Sequence, residues 1–240
     1  MTTTEAPRRK TGGASATDLR GASRIVAAVL VPVGPIAVAV LRYVLPYATT
    51  DEPGTVVQKV IDHSGVQSAI VWLAFVAVLT LVPAVFALAR LTRRGAPRLT
   101  AAAILLAVPG YLSLGWLAGG DQLLWAGAQA KVGASALTAM VSAVHPTSDV
   151  AAIVFVLGHV VGTVLIGAAM WASRAVPRWA AVVTMVSQPL HFVAAVILAS
   201  PTLDLAAWGM TAVGFTAGAV AIWRLHDDAW DLPPVSSPSA

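Results

Sequence analysis

Six long apolar runs constrain this chain more than any other feature of its sequence. They lie near Ile25–Leu45, Gln67–Leu88, Leu99–Leu117, Val150–Trp171, Trp179–Ser200 and Leu205–Trp223. Each run is long enough to cross a bilayer, which takes about 20 mainly apolar residues. Because backbone groups in hydrocarbon must be satisfied within their own segment, a helix is expected for every run. The sequence therefore predicts an all-α, polytopic membrane bundle of six transmembrane helices.

The composition supports this class of protein. The chain is 58% hydrophobic and 11% charged, whereas a soluble domain carries about 25% charged residues. The surplus apolar surface is expected to face membrane lipids. Basic residues fall in short patches between the apolar runs, which is a topology pattern rather than a nucleic-acid-binding face. The absence of cysteine excludes disulfides, thiolate catalysis and Cys-ligated metals.

The distribution of basic residues predicts the orientation. Of the 15 Lys and Arg residues, all but Arg42, Lys59 and Lys131 fall on the side of the two termini. By the positive-inside rule, both termini are expected in the cytoplasm. Residues 1–24 and 226–240 are expected to be disordered cytoplasmic tails that flank a six-helix domain over residues 25–225, because both ends are polar.

A weak parallel repeat relates the two halves of the chain. Residues 94–98 align with 174–178, each as a basic turn with matching Arg and Pro, and Pro109 then aligns with Pro189. Some transporters are built from parallel repeats, and duplication without a transport role explains the match equally well.

Two short segments precede the second and fourth spans. Residues 56–63 and 137–145 carry apolar residues at helical spacing and end at a histidine. This pattern predicts two short amphipathic helices at the outer membrane surface.

These segments, together with Gly-His-Val-Val-Gly-Thr (158–163) and Ser-Arg-Ala-Val-Pro-Arg-Trp (173–179), resemble uncharacterised six-span bacterial membrane proteins. Such proteins are grouped as a domain of unknown function and are common in actinobacteria and bacilli. The resemblance covers roughly residues 25–225. It implies a multi-pass protein of the bacterial cytoplasmic membrane, and it carries over no site residues.

Two histidines interrupt the fourth and fifth runs. His159 and His191 each lie about nine residues from the outer end of their span, roughly 14 Å deep. The turn between these spans is short, so the helices are expected to be antiparallel neighbours with facing imidazoles. Pro189 is expected to kink the fifth span, because it removes a helix hydrogen bond.

Further polar residues share the helix faces of these histidines at i+4 or i+7 spacing. Tyr111 occupies the repeat-equivalent position of His191. The candidate ligand-binding residues are His159, Gln188, His191, Tyr111, Thr163 and Thr184.

Three interpretations of this polar set stay open. A hydrogen-bonded patch could fix helix packing. A cavity open to the outer face could bind, and move, a small or amphiphilic molecule. Bis-histidine haem b is a third interpretation, although adjacent helices leave little room for the macrocycle. No metal site is expected, because only two good ligands lie at that depth. No other cofactor is expected.

Four charged residues are expected at the outer rim: Arg42, Asp121, Asp149 and Asp204. Asp121 and Asp204 both lie at the outer side, and paired carboxylates can perform acid–base chemistry. A membrane enzyme acting on a lipid-soluble substrate is therefore the alternative function. Asp149 and Asp204 also suit helix N-caps, and Arg42 is expected to pair with one of the acids.

Small and aromatic residues are assigned to packing and anchoring. Gly158 with Gly162, and Gly214 with Gly218, have the spacing that allows close helix approach. An aromatic belt at the interfaces is expected from Trp116, Trp125, Trp179, Trp208 and Trp223. The sequence thus favours a non-enzymatic, transporter-like membrane protein that binds a small or amphiphilic ligand.

Overall fold

The computed structural model describes residues 18–232, and this part of the chain is helical, with no strand. The helices are α1 (Arg20–Leu30), α2 (Val33–Val44), α3 (Pro53–Asp62), α4 (Ser64–Thr92), α5 (Pro97–Gln129), α6 (Ala134–Ser142), α7 (Thr147–Ser173), α8 (Arg178–Phe192), α9 (Pro201–Trp223) and α10 (Asp227–Trp230).

Six helical spans are long and apolar enough to cross a membrane, which confirms the predicted class. The first span joins α1 and α2 through a bend at Pro32. The third span differs most from its predicted bounds, because α5 continues to Gln129 instead of ending near Leu117. The apolar pattern of this span is interrupted at Asp121. The helix continues past this residue, and the Asp121 carboxylate accepts hydrogen bonds from Tyr47 and Gln67.

The six spans form a closed ring in which each helix packs against two neighbours. The order around the ring is α2, α4, α5, α7, α8 and α9, and α9 packs back against α2. In the half of the bundle near the termini the ring is filled by a core that includes Leu88 on α4, Phe215 and Ile222 on α9. Gly218 allows close approach here, since an added Cβ would collide with Leu88.

Glycine contacts draw α5 and α7 together. A Cβ on Gly158 would lie 2.6 Å from Gly110 Cα, and a Cβ on Gly162 would lie 2.6 Å from the backbone nitrogen of Ala107. Real Cβ atoms do not come this close to backbone, so only glycine permits this separation of the two helices. The packing role predicted for the pair at positions 158 and 162 is confirmed.

The two predicted short helices are present as α3 and α6. Their apolar faces pack on each other and on the extended end of α5, and Val57, Val60, Leu124 and Leu137 form a small separate core. The extension of α5 beyond the predicted span therefore supplies a protein surface for both helices.

The fifth span ends in an irregular segment. Residues Val193–Ile197 form a π-helical turn, and Ala199 takes a left-handed backbone conformation with φ of 47°. Pro189 has no N–H for the helix ladder, so the regular hydrogen-bond pattern is already interrupted one turn earlier. The kink predicted at Pro189 stays a prediction, since α8 continues through Pro189 to Phe192 and the π-helical turn begins at Val193.

The chain is ordered farther at both ends than predicted. Helix α1 begins at Arg20 rather than Ile25, and α10 follows the sixth span. Trp230 of α10 is buried and donates from Nε1 to Ser23 Oγ at 3.0 Å. Arg24 pairs with Asp227 at 3.0 Å. The predicted disorder is therefore wrong for these segments, because ion pairs and a buried indole hold α10 against α1. Residues 1–17 and 233–240 lie outside the described part.

Candidate ligand-binding site

A cavity of about 360 Å³ lies inside the ring of spans, in the half farther from the termini. Every span contributes to its wall, and most of the wall is aliphatic or aromatic. Below, this space is called the central cavity. Its polar lining residues are Arg42, Tyr47, Thr49, Asp121, His159, His191 and Trp208.

A chain of charged and polar groups connects His191 to the rim of the central cavity. Nδ1 of His191 lies 2.5 Å from Oδ1 of Asp204. Arg42 Nε donates to the other oxygen, Oδ2, at 2.6 Å, and Arg42 Nη2 donates to Thr49 Oγ1 at 3.0 Å. Because a carboxylate only accepts, Nδ1 of His191 carries the proton and Nε2 is left for another partner. The predicted pairing of Arg42 with an aspartate is confirmed.

His159 is fixed by its own helix and by aromatic neighbours. Its Nδ1 lies 2.5 Å from the carbonyl oxygen of Phe155, which can only accept, so the proton is on Nδ1. The imidazole stacks on the Phe155 ring at a centroid distance of 4.1 Å, and it is nearly parallel to Trp208. Its Nε2 atom is buried and has no hydrogen-bond partner.

The two histidines meet as predicted, with ring centroids 5.4 Å apart. Trp208 is the third member of this group, and its indole Nε1 lies 3.1 Å from Nδ1 of His191. An indole N–H only donates, so with the Nδ1 proton directed at Asp204 this contact is packing rather than a second hydrogen bond. The sequence had assigned Trp208 to the aromatic belt, but the side chain is 1% exposed. Its position in the sequence could have indicated this place, because Trp208 lies four residues after Asp204 and so shares its helix face.

The histidine pair does not fit haem. A bis-histidine haem needs a planar macrocycle between the two imidazoles, but the His159 ring is already stacked on Phe155 and lies 6.1 Å from Trp208. Within residues 18–232, no group of three or more His, Cys, Asp or Glu side chains is placed to hold a metal ion.

Two of the predicted ligand-binding residues pack between α5 and α7 instead. Tyr111 and Thr163 are both fully buried, and their hydroxyl oxygens lie 2.6 Å apart. Neither residue lines the central cavity. The expected role of Tyr111 in the cavity wall is therefore wrong, because its hydroxyl reaches across to α7 and is satisfied there.

Three other polar side chains of α8, those of Thr184, Ser187 and Gln188, also turn away from the central cavity. Gln188 Nε2 donates to Thr211 Oγ1 on α9 at 2.7 Å, and Thr211 donates to Ser187 Oγ at 2.8 Å. Thr184 donates to the carbonyl of Ala180 in its own helix. The expectation that Gln188 lines the cavity is wrong. Gln188 packs against Thr211, about one helical turn nearer the termini than His191, whose partners Asp204 and Trp208 lie farther out on the same span.

The three candidate acids have separate environments. Asp149 is exposed in the first turn of α7, whose N-cap is Pro146, so the predicted N-cap is wrong by three positions. Asp204 is 2% exposed and bonded to His191 and Arg42, so it is not a solvated helix end; the N-cap of α9 is Ser200. Asp121 accepts from Gln67 Nε2 at 2.8 Å and from the Tyr47 hydroxyl. No hydrogen bond joins Asp121 to Asp204.

Tyr47 lies in the connection between α2 and α3, where its phenol closes over Asp121. Burial, and then the negative charge of Asp121, raise the pKa of the Tyr47 phenol above its ordinary value. The hydroxyl therefore stays protonated and continues to donate to the carboxylate at neutral pH. Sequence reasoning missed Tyr47 and Gln67, because neither had a spacing relation to Asp121.

The ring of six apolar spans defines a multi-pass helical membrane protein with an intramembrane cavity. No protein-family model matches the chain, and neither a curated protein nor a solved structure does. The resemblance to six-span bacterial membrane proteins stays a prediction.

Proposed function

We propose that this protein binds a small amphiphilic molecule in the central cavity, which opens toward the outer face of a bacterial cytoplasmic membrane. The observation that carries the proposal is the cavity itself. At about 360 Å³ it falls within the range of roughly 300–1,000 Å³ that is typical of ligand sites. Its walls are mainly apolar, and its few polar groups are concentrated around the two histidines and at the rim.

The shape of the bundle supports binding from one side. The ring is packed with large side chains such as Phe215 and Leu88 in the half near the termini, whereas the cavity lies in the other half. With both termini in the cytoplasm, as the basic residues predict, the cavity faces outward. Transport would require the packed half to open, and the enzymatic alternative stays a prediction.

A cavity-filling substitution tests the proposal. Val156→Trp places a large ring in the wall of the central cavity, while Val161→Trp is a matched control on the exposed side of the same helix. The probe is 1-decanol added to the detergent-purified protein. We expect saturable thermal stabilisation of the wild type and of Val161→Trp, because a ligand that binds only the folded state stabilises it. We expect none for Val156→Trp. Equal stabilisation of all three proteins would contradict binding in the cavity.

A further inference from the structure

One imidazole nitrogen in the wall of the central cavity is both unpaired and open. Nδ1 of His191 is directed at Asp204, and within residues 18–232 no group hydrogen-bonds to Nε2 of the same ring. The His191 side chain is 10% exposed and lines the cavity, whereas the unpaired Nε2 of His159 is closed off by the atoms around it. A largely buried polar side chain with one open nitrogen is a place where a bound molecule completes the hydrogen bonding.

Asp204 decides how this nitrogen meets a ligand. The Asp204 carboxylate only accepts, so the ring proton of His191 lies on Nδ1. In the neutral imidazole, Nε2 therefore carries a lone pair and requires a hydrogen-bond donor on the ligand. An ether, ester or ketone oxygen only accepts, and it would leave Nε2 unpaired.

The charges around this nitrogen favour an uncharged head. Arg42 balances the charge of Asp204 across a distance of 2.6 Å. An ammonium head at Nε2 would add a second cation to this cluster, and a carboxylate head would add a second anion and face the Nε2 lone pair. Like charges oppose both heads in a mainly apolar space. The other acid in the cavity wall, Asp121, is held separately by Tyr47 and Gln67. A neutral donor requires no change in this balance, and a hydroxyl is the simplest such group.

The wall beside His191 specifies the rest of the ligand. Phe192 and Val196 of the same span line the cavity, and Leu114 and Val156 line it from α5 and α7. Resting on the proposed ligand-binding function, we infer that the ligand is a neutral amphiphile whose hydroxyl head donates to Nε2 of His191 and whose apolar body lies against these side chains.

A matched pair of probes tests this inference in the detergent-purified, full-length protein. 1-Decanol and methyl nonyl ether are isomers, but only the alcohol can donate a hydrogen bond. Thermal stabilisation across a concentration series gives the affinity of each probe. We expect the alcohol to bind about three- to tenfold more tightly, as one additional hydrogen bond implies. Equal affinity for the two probes would overturn the inference and leave the proposed function standing. Lack of saturable binding by both would overturn the proposed function itself.

Two charged probes test whether the head is neutral. 1-Decylamine and decanoate carry the same number of carbon atoms as 1-decanol, and each should stabilise the protein less. Tighter binding of the amine would show that a carboxylate of the cavity recruits a cation. Tighter binding of decanoate would show that His191 binds its ligand as the imidazolium. Either result overturns the inference.

His191→Asn assigns the preference to one atom. The asparagine amide nitrogen can replace Nδ1 as a donor to Asp204, but the side chain has no atom at the position of Nε2. The preference for the alcohol over the ether should therefore disappear. His145→Asn, at an exposed histidine between α6 and α7, is the control and should keep the preference. A preference that survives in His191→Asn would show that the hydroxyl pairs elsewhere, which overturns the inference.

Nuclear magnetic resonance of the wild-type protein replaces the variant if His191→Asn does not fold. With isotopically labelled histidine nitrogens, accepting a hydrogen bond moves the resonance of an unprotonated imidazole nitrogen upfield. We expect this change with 1-decanol and not with methyl nonyl ether. The absence of an alcohol-specific change at every histidine would overturn the inference.

Discussion

Nδ1 of His191 lies 2.5 Å from Oδ1 of Asp204, so the last regular turn of α8 is tied to the first turns of α9. The same carboxylate accepts from Arg42 on α2 at 2.6 Å. One buried acid therefore joins three spans beside the central cavity. A buried acid without partners is costly, and here the two partners, His191 on α8 and Arg42 on α2, come from two other helices.

Asp204→Asn should destabilise the protein strongly. The substitution leaves the guanidinium of Arg42 without its counter-charge. It also keeps only one acceptor oxygen where His191 and Arg42 each used one, and losing one member of a buried ion pair costs about 3 kcal/mol. Thermal denaturation in detergent measures the effect. Asp149→Asn, at an exposed acid in the first turn of α7, is the control and should change stability by less than about 0.5 kcal/mol. Equal effects at the two positions would contradict the ion pair's structural role.

Thr211→Val should disrupt the contact between α8 and α9. Valine keeps the shape of threonine but leaves Gln188 Nε2 without its acceptor, so we expect a loss of about 1–3 kcal/mol. Thr211→Ser is the matched control, since it keeps the hydroxyl. Adding Gln188→Met to Thr211→Val removes the unpaired amide, and the double variant should lose less than the two single losses combined. Additive losses would argue against a direct bond.

Gly158→Ala should push α5 and α7 apart. The new Cβ would lie 2.6 Å from Gly110 Cα and 2.6 Å from the carbonyl oxygen of Leu106, and neither backbone atom can move alone. Overpacking of this kind costs about 1–3 kcal/mol. Gly119→Ala is the control, because no atom lies within 4 Å of its Cβ position, and alanine there should be neutral or stabilising. Thermal stability in detergent distinguishes the two, and a neutral Gly158→Ala would contradict the close approach.

Tyr47 should contribute a stability term that depends on alkaline pH. Its pKa is raised in the folded protein, so its contribution is fully present below the unfolded value of about 10 and is lost as pH rises toward the folded value. The stability difference between wild type and Tyr47→Phe should therefore be constant at pH 7–9 and shrink above about pH 10. Tyr43→Phe is the control, because it removes the hydroxyl of an exposed tyrosine and should give no such pH dependence. A difference that grows at high pH would contradict the direction of the shift.

Single cysteines should report the orientation, because the natural chain has none to interfere. Glu52 precedes α3, Arg94 lies between α4 and α5, and both side chains are exposed. In intact cells a membrane-impermeant maleimide should label the Glu52→Cys variant. The Arg94→Cys variant should be labelled only after the cells are permeabilised. The reverse pattern would place the termini outside and turn the central cavity toward the cytoplasm.

The six spans, the two short helices and the meeting of His159 with His191 could be predicted from the sequence alone. These features follow from local quantities. Transfer of apolar side chains into lipid sets the spans, and a short turn makes consecutive helices neighbours. The depth of each histidine follows from counting residues along a helix.

The tertiary structure decided which face of each helix meets which partner. Lipid is as apolar as a protein core, so hydropathy does not separate the inward side of a span from its outward side. Gln188 therefore hydrogen-bonds to Thr211 on α9, and Tyr111 hydrogen-bonds to Thr163 on α7. Trp208 packs against the histidine pair instead of lying in the expected aromatic belt. Closing six helices into a ring fixed these choices together, and that closure also left Nε2 of His159 without a partner beside the central cavity.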